Sequence, residues 1–415
     1  MVELLGKSKE ELRAFCAGLG EPAYRGEQIY HALFAERKFY FARMTNLPAA
    51  LRERLAKEAR ITLPEVKQRF VSRDGSVRYL FGLRTEEKGI ATEGTEKNQR
   101  KLSRERTPAL VEAVFMPSQG RQTICISTQA GCAVDCHFCL TAQLGLIRNL
   151  TAGEIVGQAL VALEEHKGKS ITGTRENHTN CGQKDAGLKP GATQTLDAIP
   201  FEAQDKQTNV VLMGQGEPLL NFEPVMAAVW IMLDPEGIGL SPKHVTLSTS
   251  GIVPGIERLA QEKVRPRLAI SLNASNDEQR DALMPINKKY SLKVLMEACK
   301  TYPLRPWEHL TFEYVMLGGV NDSPEDARRV VRLLAPLKRA KVNLIPWNPG
   351  ELPYRESSPE RIEEFRRILN DKGVPAFVRY SRGRDVMAAC GQLALLDVSA
   401  RSGVVSITSK WRSRL

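Results

Sequence analysis

Over residues 1–65 the apolar positions recur at helical spacing. Ser8 can cap the run Lys9-Glu-Glu-Leu-Arg-Ala-Phe-Cys16, and the rhythm continues through Ile29-Tyr-His-Ala-Leu-Phe34 and Leu51-Arg-Glu-Arg-Leu55, which predicts a small helical domain. From Arg69 the pattern turns to strands. Val77–Leu83 and Leu110–Met116 are expected partners, with Asp74-Gly75 as the turn before the first. The polar stretch from Arg84 to Pro108, rich in Lys and Arg, reads as a solvated loop within this short β linker, residues 66–118.

After residue 119, β-branched runs alternate with helical patterns. Strands are expected at Gln122–Ser127, Asn209–Met213, His244–Ser248, Arg267–Ser271, Leu310–Met316 and Lys341–Ile345. Thr151-Ala-Gly-Glu154 reads as a capping box at a helix start, and Ser358-Pro359 as a cap followed by a first-turn proline, with Gly373 past that helix's end. Six strand-helix units imply an α/β fold with a parallel sheet, open or curled into a partial (β/α)6 TIM-like barrel over residues 119–394. Chemistry is then expected at the C-terminal strand ends. Residues 167–207, rich in Gly, Thr, Asn, Gln and Lys, read as an inserted loop; its His178 and Cys181 have no partner pair at ligand spacing. Residues 395–415 form a basic tail.

Composition narrows the class. The chain has 415 residues, 42% of them hydrophobic, which excludes disorder along its length. The longest apolar run is Val225 to Leu233, too short for a membrane span. No basic segment followed by an apolar stretch opens the chain, so a cytoplasmic protein is expected. Lys and Arg outnumber Asp and Glu by 59 − 48 = 11, and the pI near 9.2 favours a polyanionic partner. No coiled-coil heptad is present, and a monomer is expected.

The cysteines carry the candidate chemistry. Cys132-Ala-Val-Asp-Cys136-His-Phe-Cys139 follows the first strand of the array, and three thiolates at this spacing can meet one metal centre from one loop. A structural zinc site normally takes four ligands, with Cys125 or His137 as the candidate fourth. An iron–sulfur cluster is the alternative, and three ligands on four irons leave one iron open to a substrate. Downstream, Gly214-Gln-Gly216-Glu217-Pro-Leu-Leu-Asn221 follows the second strand. Its glycines allow close backbone approach and its carboxylate can accept from an ammonium. A dinucleotide fingerprint fails there because the third glycine is missing. Ser248, then Ser271-Leu272-Asn273, then Asn348 end the third, fourth and sixth strands.

This series resembles the radical S-adenosylmethionine (SAM) superfamily. With Ala388-Ala-Cys390-Gly391 near the end, it resembles the RlmN/Cfr family of radical SAM RNA adenine methyltransferases from about residue 8 to residue 394. The Gly-Glu-Pro-Leu-Leu-Asn form is similar to the RlmN branch, which methylates C2 of an adenosine in 23S, the large-subunit, ribosomal RNA. The resemblance implies one 4Fe-4S cluster on Cys132, Cys136 and Cys139, and SAM held by Gly216, Glu217, Ser248, Ser271, Leu272, Asn273 and Asn348. It implies two SAM molecules per turnover, one methylating Cys390 and one cleaved to a radical that activates that methyl group. Cys125 is then the base and resolving thiol, leaving a disulfide, and Glu112 a proton acceptor. An external electron donor such as a flavodoxin system is implied, with transfer RNA as a candidate second substrate.

Arg379, Arg382 and Arg384 could meet phosphate; Arg328–Arg332 and Lys338–Lys341 lie in helical rhythm and read equally as an RNA contact or as the solvent face of a helix, and Lys410–Arg414 is a third basic cluster, while Pro22-Ala-Tyr-Arg25 is the expected RNA contact of the helical domain. Cys16 and Cys299 read as buried hydrophobes. Three departures stand out: Asn273 where many relatives have histidine, the insertion at residues 167–207, and the tail after Leu393. The alternatives are C8 methylation, a radical SAM enzyme acting on a peptide or small molecule, and a zinc-containing RNA-binding module without catalysis.

Overall fold

The computed structural model describes residues 1–83, 109–167, 207–350 and 352–393. The charged stretch 84–108, the insertion with His178 and Cys181, and the basic tail with Lys410 and Arg414 lie outside the described residues.

Helices Lys9–Gly18, Tyr24–Phe34 and Ala49–Glu58 form the N-terminal unit, closed by the parallel pairing of β1 (Val2–Glu3) with β2 (Ala59–Arg60). Ser8 caps the first helix in a reciprocal box with Glu11, which satisfies two free amides of the first turn. Leu12, Cys16, Ile29, Leu33 and Leu55 are the buried stripe that the spacing predicted.

Beyond it, β3 (Glu65–Val71), β4 (Val77–Leu83) and β5 (Ala109–Ser118) make an antiparallel wing that joins β6 (Arg121–Cys125). β3 begins earlier than the Arg69 boundary read from the sequence, because its residues alternate between exposed and half-buried and give little apolar signal. β7 (Gln129–Gly131) and β8 (Leu146–Asn149) pair with each other outside this sheet.

The main sheet continues from β6 through β9 (Thr208–Leu212), β10 (Val245–Thr249), β11 (Arg267–Ser271), β12 (Leu310–Met316), β13 (Ala340–Pro346) and β14 (Ala376–Val378), all parallel and in chain order. The sheet is open, with β14 and β3 as its edges. The six strands expected from the sequence are present, β11 and β12 with the expected bounds and the other four shifted by a residue or two at their ends. β14 adds a seventh, unexpected because only three residues long and preceded by Gly373-Val-Pro375. The helices between strands begin where capping chemistry placed them, with Thr151 bonded to the Glu154 amide and Ser358 to the Arg361 amide.

Strand interiors such as Val210, Leu247, Ile270, Phe312 and Leu344 are buried, as strands covered on both faces require. Each such side chain stabilises the fold by roughly 1.5–3 kcal/mol. The apolar core runs without a break from Leu4 of the N-terminal unit to Ala376 of β14. Among the described residues no helix is long and apolar enough to cross a membrane.

Candidate active site

One cavity opens at the C-terminal ends of the parallel strands. Its walls include Cys132, Cys136 and Cys139, Glu217 after β9, Ser248 and Ser271, and Cys390.

The cysteine loop is pinned at its base, where the Cys132 amide donates to the Gly145 carbonyl at 2.9 Å. Gly131 there has φ +73°, and a Cβ on it would stand 1.8 Å from the Gly145 oxygen, so only glycine lets the two strands meet. Asp135, at φ 58°, reverses the chain between the first two cysteines, and the Cys139 amide closes a turn on the Cys136 carbonyl at 3.1 Å. Burial pushes the Cys132 thiol up to about 12 and raises Cys136 and Cys139 as well. The neighbouring thiols add to the rise at Cys132 and Cys136.

The donor set fits a polynuclear iron–sulfur centre. Soft thiolates suit iron and sulfide, and all three line one cavity. His137 turns its amide to the Leu283 carbonyl at 3.0 Å and is not a wall of the cavity.

The facing wall is the loop after β9. A Cβ on Gly214 would lie 2.7 Å from the Ser127 hydroxyl, and one on Gly216, at φ +100°, would lie 2.5 Å from the Gln129 Cβ. Glu217 is held by its own amide, which donates to Gln129 Oε1 at 2.8 Å. Its carboxylate accepts from the Ser250 amide at 2.6 Å and the Leu219 amide at 3.1 Å. Burial raises its pKa, and those hydrogen bonds offset only part of that. An ammonium group would relieve a buried carboxylate in this position. Ser248 and Ser271 face each other, hydroxyl to hydroxyl, at 3.4 Å.

Asn273, at φ 55°, also lines the cavity. Its Oδ1 accepts from the Val315 amide at 2.8 Å, while Nδ2 meets only the Met284 sulfur, at 3.4 Å. The amide nitrogen is therefore the end left to serve a ligand. Two expected cofactor contacts are not brought to the cavity. Leu272 is fully buried in the core. Asn348 instead fastens the Cys390 loop: its Nδ2 donates to the Cys390 carbonyl at 3.2 Å and to Ser381 Oγ at 2.9 Å.

Cys390 shows its surface to the cavity rather than to bulk water, which explains how an exposed thiol can still be pushed up to about 11, chiefly by desolvation. The Gly391 carbonyl accepts from the Leu140 amide at 2.8 Å, tying this loop to the cysteine loop. Cys125 is buried on β6, packed with Val114, Ala388 and Leu393. Burial raises its pKa, with Cys390 as the next cause. The two thiols are separate, with no disulfide between them.

Glu112 lies on β5, fully buried, in an ion pair with the equally buried Arg78. It does not line the cavity. Gln215, between the two glycines of the β9 loop, connects it: Nε2 donates to Glu112 Oε2 at 3.3 Å and to the Leu393 carbonyl at 3.4 Å. The sequence missed Arg78 and Gln215; a charge inside the apolar run Val77–Leu83 was the available signal for the first.

Several of the described basic residues are engaged within the chain. Arg328 and Arg332 pair with Glu325, and Arg329 with Asp326, so this helix face is a paired, solvated one. Arg384 donates to Asn348 Oδ1 at 3.0 Å and pairs with Glu356. Arg379 donates to Asn343, and Arg382 to the Pro117 carbonyl.

A parallel sheet with a three-cysteine loop after its first strand, facing glycines and a carboxylate after the second, defines the radical SAM class. The radical SAM superfamily model matches residues 181–334. The solved structure of a radical SAM methyltransferase from Sphaerobacter thermophilus superposes with a TM-score of 0.76 at 36% identity, covering 95% of this chain and 99% of that one. A second family model, the ribosomal RNA large subunit methyltransferase N-terminal domain, matches residues 2–61. Dual-specificity RNA methyltransferases RlmN from Azorhizobium caulinodans and Anaeromyxobacter dehalogenans are 42% and 40% identical. Each alignment covers 94% of this chain, and 88% and 91% of those proteins, respectively. The chain belongs to the RlmN family of radical SAM RNA methyltransferases.

Proposed function

We propose that this protein methylates C2 of an adenosine in large-subunit ribosomal RNA, and an adenosine of transfer RNA, through a carbon carried on Cys390. The observation that carries this reading is the gathering of Cys390 and the three-thiol loop around one cavity, with Cys125 packed against Ala388 and Leu393 on either side of Cys390 in the chain. The Gly216-Glu-Pro-Leu-Leu-Asn221 loop supports C2 over C8.

Cys132, Cys136 and Cys139 would hold a 4Fe-4S cluster, and Glu217, Ser248, Ser271 and Asn273 would hold SAM. When bound, the two supply the one-electron chemistry that an aromatic C–H bond requires. Cys390 accepts a methyl group from one SAM and a second SAM is spent in activating it, so two are consumed per turnover. The carbon on sulfur, having lost one hydrogen atom to the SAM-derived radical, then bonds to C2 and tethers RNA to the protein; the C2 hydrogen leaves as a proton, and the remaining electron would be taken up by the cluster that the three thiolates hold.

As the C2 proton leaves, Cys125 is the base, and Glu112, connected to the cavity wall through Gln215, takes that proton on and leaves Cys125 as the thiolate. The Cys125 thiolate next attacks the Cys390 sulfur. The C–S bond breaks, its electron pair goes to the departing carbon, which takes up a proton as methyl, and a Cys125–Cys390 disulfide remains. Asn348 and Gly391 fasten the Cys390 loop that takes part in this exchange. The chemistry calls for a reducing compartment, the cytoplasm, and an external donor of the flavodoxin kind; a monomer suffices, since one chain supplies every residue named.

Anaerobic incubation of cluster-loaded protein with protein-free ribosomal RNA, reductant and SAM, followed by mass spectrometry of nucleosides, should yield 2-methyladenosine. Cys390→Ala should yield none, and Cys125→Ala should leave protein bound covalently to RNA. Formation of 8-methyladenosine would move the protein to the sister activity. Bound zinc with no methylated adenosine would support a non-catalytic RNA-binding role.

A further inference from the structure

Glu313 is a cavity wall with no part in the scheme above. It sits in the middle of β12, in the run Leu310-Thr-Phe-Glu-Tyr-Val-Met316, and its side chain is 8% exposed. In register, Ser271 of β11 stands on one side and Asn343 of β13 on the other.

A short chain of hydrogen bonds fixes its orientation. Arg379 Nε donates to Asn343 Oδ1 at 3.2 Å, so the amide nitrogen of Asn343 must face the other way. That nitrogen donates to Glu313 Oε1 at 2.8 Å. Oε1 is thus an acceptor, and Oε2 is the atom left to the cavity.

The other carboxylate of the cavity, Glu217, has both oxygens occupied by backbone amides. Glu313 is therefore the acid with an uncommitted oxygen, on the same cavity as Cys390. Burial pushes its own carboxyl up to about 7. The hydrogen bond from Asn343 and the charges of Arg379, Lys341 and Arg267 oppose that rise without cancelling it. A substantial neutral fraction at neutral pH gives Oε2 a proton to donate.

A carbon on Cys390 aimed at C2 of adenine puts two ring nitrogens beside the reacting atom. N3 lies on the ribose side, towards the RNA strand. N1 belongs to the Watson–Crick edge, which a base turned out of its stack presents to the pocket interior. We propose that Glu313 reads the target adenine, its Oε2–H donating a hydrogen bond to N1. This rests on the C2-methylation reading above. The proton stays on Glu313 and no bond is made or broken there. The hydrogen bond draws electron density from the ring next to C2, which favours attack by an electron-rich carbon attached to sulfur. A base with a proton on N1, such as hypoxanthine, meets donor against donor and is rejected.

The test is a cycle between protein and substrate. Cluster-loaded wild type and Glu313→Leu are each given RNA carrying adenosine or 1-deazaadenosine at the target, and kcat/KM for methylation is measured. The wild type should lose at least ten-fold more on replacing N1 than Glu313→Leu does, and Glu313→Gln, which keeps a donor, should restore most of that difference. A merely structural role, or a contact to SAM, lowers both substrates in parallel, and equal penalties in wild type and Glu313→Leu would overturn the inference. Should Glu313→Leu fail to fold, Glu313→Ala takes its place in the same cycle. Wild type that makes no 2-methyladenosine from the adenosine RNA would overturn the underlying reading, and this one with it.

Discussion

Arg78 and Glu112 bury opposite charges on neighbouring strands whose other residues are mostly apolar. Removing one partner of such a pair strands a charge away from water, which costs about 3–5 kcal/mol. Arg78→Met should therefore lower unfolding free energy by that order in urea titration. Arg78→Met with Glu112→Gln should recover much of the stability, though not the activity if Glu112 accepts a proton. An Arg78→Met protein as stable as wild type would mean that Glu112 is neutral in the fold. At this scale the site was legible where a residue type is rare and spaced. The three cysteines, Gly216-Glu217 and Cys390 all come to one cavity or its rim. It was illegible where a lone polar residue sits in an apolar strand, as Arg78 and Glu313 do, since strand alternation alone does not say what lies across the sheet. Asn348 shows a third case: its place at a strand end was readable, but not that it would turn towards the Cys390 carbonyl.

Helix starts carry much of the order in the barrel. Ser323 caps the helix Pro324–Leu334 in a reciprocal box with Asp326, whose carboxylate also accepts from Ser275 and Arg329. Burial would raise the Asp326 pKa, but the hydrogen bonds from Ser275, Ser323 and Arg329 together hold it below its usual 3.8. A carboxylate depressed in the folded state adds stability above its unfolded pKa and loses that contribution as pH falls through the folded value. Stability should therefore decline below about pH 4 in part through this residue, and Asp326→Asn should flatten that acid limb while lowering stability at pH 7. Ser323→Ala should cost about 1 kcal/mol at neutral pH. Urea titrations at stepped pH check both, and an unchanged acid limb in Asp326→Asn would remove the carboxylate from the account. The elements were readable for the same reason that they are stable: caps and periodicity act locally. β14 escaped because three residues are too few for a period to show, and its pairing is decided by β13, residues 340–346, not by its own sequence.

The N-terminal unit is pressed onto the barrel by backbone contact rather than joined to it by a free linker. The loop after β1 lies against the start of the helix Ala152–Glu165, the helix that follows the cysteine loop. Gly6, at φ +87°, approaches so closely that a Cβ would stand 2.2 Å from the Gly153 amide nitrogen. A Cβ on Gly153 would lie 2.4 Å from the Leu5 carbonyl oxygen and 2.9 Å from its carbon. Both neighbours are backbone and cannot rotate aside. Sequence patterning gave no sign of this, because glycines in a helical run usually mark only weak propensity. Lys9 adds an ion pair to Asp234, at the end of the helix Phe222–Leu233. Gly153→Ala should therefore push the two units apart at a cost of about 1–3 kcal/mol, and split the calorimetric transition. Gly18→Ala, with nothing within 4 Å, should be neutral or slightly stabilising and serves as the control. Because Glu217, Ser248, Ser271 and Asn273 come from later strand ends, SAM affinity should hold in Gly153→Ala. RNA affinity should fall if the N-terminal unit orients RNA over the barrel. Equal loss of both ligands would instead mean that the helix start transmits the strain through the ion pair of Glu154 with the buried Arg148, on β8.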